Sequence, residues 1–204
     1  MKTQSRHDEM MGLAARALQH FEHQTTDLAP DIMSQPVAAY IDPARYQAER
    51  EGIFKQLPLA LALTLELPSP GDYKAMTVLE TPIILARNQT GEVKCFLNAC
   101  RHRGSRLCDD GCGAARVFSC PYHAWTYDAE GALIGRYGAE TFGEVDPADF
   151  HLTELPCAER CGLIWVTLTP SQAMDIDAWL GDFAVELDTL ALSDWHLHEV
   201  RVID

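Results

Sequence analysis

The chain has 204 residues, 47% of them apolar, enough for one domain of generous size or two small ones with a substantial core. A net charge of −14 argues against nucleic acid and anionic membrane surfaces as partners; it suits solubility and would complement a basic redox partner. No apolar run approaches the ~18 residues of a membrane span, and Met1 to Asp8 lacks the apolar stretch of a signal peptide, so a cytoplasmic location is expected. Seven cysteines in that compartment favour metal ligation over disulfides.

In chain order, a helix is expected over residues 8 to 21. Met10, Leu13, Ala14, Ala17 and Phe21 recur there at helical spacing, and Ser5 with Asp8 offers a capping pair. Asp27 to Pro36, with two prolines and little periodicity, reads as a linker. A second helix is expected to open at Asp42 as N-cap, with Pro43 in its first turn. Tyr46, Arg50, Ile53, Phe54 and Leu57 share its stripe, and Pro58 stops it. From about Lys74 the pattern changes to strands. Short β-rich runs are read at Met76 to Leu79, Ile83 to Arg87 and Val93 to Asn98, then Val117 to Cys120, Trp125 to Tyr127 and Leu133-Ile134. Leu152 to Leu155 and Leu163 to Leu168 finish the series. Such strands with Gly-containing turns indicate a mainly β chain with flanking helices, an antiparallel sandwich or small barrel. After Pro170, Ile176, Trp179, Leu180, Phe183, Leu187 and Leu190 trace one face of a C-terminal helix, and Trp195 to Ile203 alternates like a strand.

The chemistry is concentrated between Cys100 and His123. Cys100-Arg101-His102-Arg103-Gly104 and Cys120-Pro121-Tyr122-His123 give two mixed pairs, C-x-H and C-x2-H, with 17 residues, positions 103 through 119, between them. Two thiolates and two imidazoles are the ligand set of a [2Fe–2S] centre in which two histidines replace two cysteines on one iron. Each pair can give its Cys to one iron and its His to the other, so two loops would grip one cluster from opposite sides. Gly104, Gly111 and Gly113 suit such loops, and Pro121 stiffens the second. Structural zinc takes the same residue types, but zinc motifs usually group like ligands, whereas here each pair mixes them. The candidate ligands are Cys100, His102, Cys120 and His123. Cys95, Cys108, Cys112, Cys157 and Cys161 read mostly as small buried hydrophobes. Arg101 and Arg103 either stabilise a reduced, more negative cluster or pair with carboxylates such as Asp109 and Asp110. Trp125 and Tyr127 read as packing beneath the loop.

These motifs, continued by Ala124-Trp125-Thr126-Tyr127 and Gly131-Ala132-Leu133, resemble the Rieske domain of ring-hydroxylating oxygenase α subunits. The resemblance runs from about Tyr40 to about Thr169, where Cys161-Gly162-Leu163-Ile164-Trp165-Val166 looks like the closing strand. It implies an oxidoreductase component that takes NAD(P)H-derived electrons from a reductase or ferredoxin and passes them to a non-haem Fe(II) that activates O2. It also implies a homo-oligomer, in which one cluster histidine makes contact through a carboxylate with the iron of a neighbouring α subunit. Residues 1–39 then form an N-terminal helical segment and linker, and 40–170 the Rieske domain with its lead-in helix. Residues 171–204 form a helix and the start of a missing catalytic domain, where the Fe(II) is expected. No catalytic residue is assigned within this chain. Of the six histidines outside the candidate ligands, His196 and His198 with Glu199 come nearest to a 2-His-1-carboxylate triad, but in a strand Glu199 would point away. High-potential respiratory Rieske proteins carry an extra Cys in each loop, joined by a disulfide, and a Ser two residues after the last ligand. Ser105, Tyr122 and Trp125 stand at those positions here, so a midpoint below zero is expected. The alternative is a stand-alone Rieske ferredoxin-like carrier, although such carriers resemble only the central block.

Overall fold

The computed structural model describes residues 6–141, 143–199 and 201. The chain divides into two compact units, Met1–Asp42 and Pro43–Asp204. In the first, α1 (Arg6–His23) covers the expected helix and adds a little at each end. Ser5, its suggested cap, lies outside the described residues. Asp8 and Glu9 in its first turn, and His20 and His23 in its last, complement the helix dipole. His20 fastens the C-terminal end, bonding Thr25 through Nδ1 and Asp27 through Nε2, each at 2.9 Å. An irregular linker follows, then α2 (Ala38–Ile41), which Asp42 closes as C-cap.

The second unit opens with α3 (Pro43–Glu49), whose first residue is the expected proline. The helix widens into a π turn over Arg50–Phe54 and ends before Pro58. Among the described residues eleven strands follow: β1 (Leu59–Leu63), β2 (Asp72–Val78), β3 (Thr81–Arg87), β4 (Val93–Leu97), β5 (Gly111–Ala114), β6 (Val117–Ser119), β7 (Thr126–Asp128), β8 (Leu133–Gly135), β9 (Glu154–Leu155), β10 (Cys157–Arg160) and β11 (Leu163–Val166). They form three open antiparallel sheets, ordered β1-β11-β10, β5-β2-β3-β4-β9 and β6-β7-β8; none closes into a barrel.

Strand β3 explains the layering. Successive side chains point to opposite faces, so Ile83 and Leu85 enter a core with Ala62, Ile164 and Val166 of the first sheet. Ile84 and Ala86 enter a second core with Phe118 and Tyr127 of the third sheet. The five-stranded sheet is therefore the shared middle layer, and the second core is the floor on which the candidate ligands rest.

The C-terminal part departs from the expected single helix. Gly181, at φ +50°, separates α4 (Ile176–Leu180) from α5 (Phe183–Asp188), so one helical phase does not run through both. Ile176, Leu180 and Ala184 pack on Trp165, while Trp179, Phe183 and Leu190 are exposed. Arg160 of β10 ties both helices down through Asp177 (2.7 Å) and Asp188 (3.1 Å). The run expected as a strand from Trp195 is irregular wherever it is described. No helix among the described residues is long and apolar enough to cross a membrane.

Candidate metal centre

The two candidate ligand pairs sit on loops, one between β4 and β5, the other between β6 and β7. Both loops make the same turn. In the first, Cys100 N–H donates to Ser105 O and Gly104 N–H to Cys100 O, each at 2.8 Å. In the second, Cys120 N–H donates to Trp125 O (2.8 Å) and Ala124 N–H to Cys120 O (2.9 Å). The fourth residue after each cysteine is left-handed, Gly104 at φ +74° and Ala124 at φ +53°. This turn buries Cys100 and Cys120 and leaves both histidines half-buried. The imidazoles of His102 and His123 meet edge to face, 4.7 Å between centroids.

The surrounding side chains fix this arrangement. Trp125 is buried and stacks on His102 at 5.0 Å with only 10° between the planes; its edge meets Phe150 at 5.5 Å. Tyr122 lies against His123. Tyr127, fully buried, brings Oη to 3.3 Å from Cys100 Sγ and accepts the Arg101 N–H at 3.0 Å. Asn98, also fully buried, accepts from the Leu107 N–H and donates to Cys108 O, both at 2.8 Å, bracing the far half of the first loop. Sequence reasoning gave Tyr127 a packing role only and passed over Asn98. The available signal was a polar tip on a residue that strand alternation or strand-end position turns inward.

Burial raises the Cys100 thiol above its usual range, against the opposing pull of the Tyr127 hydroxyl and the His102 N–H. Burial works the same way on Cys120, but the backbone N–H groups of His123 and Tyr122, with the side chains of Cys100 and Ser105, outweigh it. The net result there is a lowered thiol. Burial, then the nearby His123 and Arg103, hold His102 below the usual imidazole range. That favours the neutral form, the one that ligates metals.

The donors fit a [2Fe–2S] cluster. The Nδ1 of His123 is buried with no hydrogen-bond partner, the kind of lone pair a metal satisfies. Among the described residues, no three His, Cys, Asp or Glu converge as ligands for a single ion. Each loop supplies one Cys and one His, a set that suits two irons sharing one cluster. The other cysteines are mixed: Cys95 is buried as expected, whereas Cys112 is exposed on β5, an edge strand. Asp110 is engaged by Arg106 (3.2 Å) and Thr77 (3.0 Å) rather than by Arg101 or Arg103. His196, His198 and Glu199 are exposed in an irregular segment.

The pattern that defines the Rieske [2Fe–2S] domain family matches residues 58–142, taking in β1 through β8 and both loops. The chain carries a Rieske domain. Its relatives are oxygenase subunits. The benzene 1,2-dioxygenase α subunit of Pseudomonas putida is 35% identical over 169 residues, covering 82% of this chain and 36% of its own length. The glycine betaine monooxygenase oxygenase subunit of Chromohalobacter salexigens is 32% identical over 198 residues, 93% of this chain and 43% of its own length. Naphthalene 1,2-dioxygenase from Rhodococcus sp. superposes with a TM-score of 0.70 at 35% identity, over 76% of this chain and 36% of that one. The Rieske chain thus spans less than half the length of these relatives.

Proposed function

We propose that Cys100, His102, Cys120 and His123 hold a [2Fe–2S] cluster, and that this chain is the electron-relay part of a ring-hydroxylating-type oxygenase α subunit. The observation that carries this reading is the pair of matching loops, which bury two cysteines and bring two histidines edge to face at the half-exposed rim. When bound there, such a cluster supplies reversible one-electron chemistry. The chain's own groups set its surroundings. The Tyr127 hydroxyl and the His102 N–H are aimed at Cys100, and the His123 and Tyr122 N–H groups at Cys120, so negative charge on the sulfurs is stabilised. Trp125 and Phe150 close the site from below. The histidines form the edge that another protein can approach.

On this reading the electron donor is a reductase or ferredoxin. The acceptor is a non-haem iron in a catalytic domain outside the span matched here, or in a neighbouring α subunit of a homo-oligomer. Residues 1–39 form an N-terminal segment, 40–170 the Rieske domain with its lead-in helix, and 171–204 the approach to the catalytic domain. A cytoplasmic location goes with this assignment. Both a dioxygenase and a monooxygenase stand among the relatives, so neither outcome is preferred. Trp125 replaces the serine hydroxyl of high-potential centres, and the midpoint is expected below zero.

Anaerobic reconstitution tests the ligand set. Iron and sulfide should be found in equal amounts at cluster stoichiometry, and His102→Cys should retain a cluster of lower potential, if any. An unchanged spectrum in that variant would remove His102 from the ligands, and a colourless, iron-free chain would end the reading.

A further inference from the structure

The first ligand loop returns to the sheet through Arg106 and Asp110, where a closed set of polar contacts holds it. Thr77 Oγ1 accepts from Arg106 Nη2 and donates to Asp110 Oδ2, both at 3.0 Å. Arg106 Nη1 closes the triangle on Asp110 at 3.2 Å. The register of β2 with β5 ends at Ala75 and Gly111, so Thr77 acts just past the point where the backbone ladder stops. An isolated surface pair contributes little, but three groups that bond one another share the entropy lost in ordering them. Ser105 connects this triangle to the candidate ligands. It precedes Arg106, its carbonyl accepts the Cys100 N–H at 2.8 Å, and its side chain lies beside the Cys120 thiol of the other loop. A hydroxyl at a ligand sulfur stabilises negative charge there.

On its other side Thr77 belongs to a strained hairpin. The turn between β2 and β3 is Leu79-Glu80, enclosed by the paired Val78 and Thr81. Leu79 has φ +48° and Glu80 φ +65°, a two-residue turn that Asn-Gly adopts readily and Leu-Glu does not. Such a backbone persists only where its surroundings dictate it. Here Arg50 bonds Glu80 at 2.9 Å, and its guanidinium, on a side chain only 13% exposed, lies over the ring of Tyr46 in α3. Arg50 also opens the π turn that ends the lead-in helix, a distortion that recurs at functional sites. One run of contacts therefore leads from the lead-in helix through the hairpin to Ser105.

We propose that Thr77, Arg106 and Asp110 are positioning residues for the cluster: they hold Ser105 between the two ligand loops, and the Arg50–Glu80 pair latches the hairpin on which Thr77 stands. This rests on the electron-relay reading given above. Without the triangle the limb from Ser105 to Asp110 drifts and the Ser105 hydroxyl leaves Cys120. Fewer hydrogen bonds then reach the sulfurs, so the reduced state is less stabilised and the midpoint falls.

The test uses the full chain with its cluster assembled and reads the midpoint by redox titration and the rate of iron loss to a chelator. Thr77→Val should lower the midpoint and speed iron loss about threefold or more, the size expected of a broken polar network at the surface. Thr77→Ser keeps the hydroxyl and should behave as the native chain. Ser105→Ala should lower the midpoint by itself, and adding Thr77→Val to it should lower the midpoint no further. Glu80→Gln should act in the same direction as Thr77→Val, whereas Leu79→Asn with Glu80→Gly, which suits the turn without the latch, should return the midpoint to the native value. Arg45→Gln, which breaks a surface pair elsewhere on the lead-in helix, should change neither reading. Should Thr77→Val assemble no cluster, Arg106→Gln at an exposed position replaces it and should give the same two changes. An intact cluster with a native midpoint in Thr77→Val or Glu80→Gln would overturn the positioning role. So would a shift as large in Thr77→Ser or Arg45→Gln, which would mark general loosening. A native chain that assembles no cluster would instead overturn the electron-relay reading, and the positioning role with it.

Discussion

Replacing Tyr127 by Phe isolates one hydrogen bond at the centre of the site. The hydroxyl lies 3.3 Å from Cys100 Sγ and accepts the Arg101 N–H at 3.0 Å. With the sulfur as a ligating thiolate, only the hydroxyl can donate. Reduction places more negative charge on the ligand sulfurs, so the bond is stronger in the reduced state and its loss should lower the midpoint. A hydrogen bond of this kind contributes roughly 1–1.5 kcal/mol net. At 59 mV per 1.36 kcal/mol for one electron, the drop is at most about 45–65 mV if most of that bond strength appears on reduction. The ring itself stays, because Tyr127 is packed with Phe118, Trp125 and Phe96 in the core. The chain should therefore remain folded, losing only about 1–2 kcal/mol as the Arg101 N–H gives up its acceptor. Redox titration of the reconstituted chain, followed by electron paramagnetic resonance, measures the shift. A midpoint that is unchanged or rises would refute the idea that this hydroxyl donates to a ligand sulfur.

Other outcomes follow from the same geometry. Asn98→Ala leaves the Leu107 N–H and Cys108 O without their partner and should cost about 2–3 kcal/mol in denaturant unfolding, with faster cluster loss on dilution into chelator. Ala124 pays a left-handed backbone with an L side chain, so Ala124→Gly should stabilise by up to about 1 kcal/mol; Gly104→Ala should cost about 1–2 kcal/mol although its new Cβ would meet no atom within 4 Å. Thermal melts of the two variants should move in opposite directions. Burial pushes the half-buried Cys157 thiol up to about 12, against about 8.5 in an unfolded chain. Its protonated form therefore supports the fold fully below about pH 8.5, and that support is lost as pH rises towards 12. Iodoacetamide at pH 8 should accordingly label the exposed Cys112 in the native chain and spare Cys157 and the buried Cys95.

What could be read from the sequence was whatever chemistry or periodicity keeps within a few residues. The ligand motif was legible because each pair is contiguous, and β3 was legible because it carries four consecutive apolar residues, Ile83 to Ala86. Three strands escaped for identifiable reasons. β1 is an alternation of Leu and Ala without a β-branched residue, β5 is half glycine, and β10 carries two charged residues in four. Each is held by neighbours rather than by its own propensity: β1 and β10 pair with β11, and β5 with β2. The C-terminal face failed differently. A helical period was carried through Gly181, whose φ of +50° resets the phase and turns Trp179 and Phe183 outward.

The Tyr127 and Asn98 contacts show the limit that local pattern meets at the site. Strand alternation says that Tyr127 faces inward, but its reach to Cys100 spans 27 residues and depends on how the third sheet lies over the second core. Likewise, the common turn of the two loops is hidden by different sequences: glycine stands at the left-handed position in one and alanine in the other. The sequence distinguishes those positions, while the hydrogen bonds make them equivalent. That equivalence gives both cysteines the same inward placement and both histidines the same rim. It makes the site polar along one direction, with its sulfurs shielded and its imidazoles towards any partner.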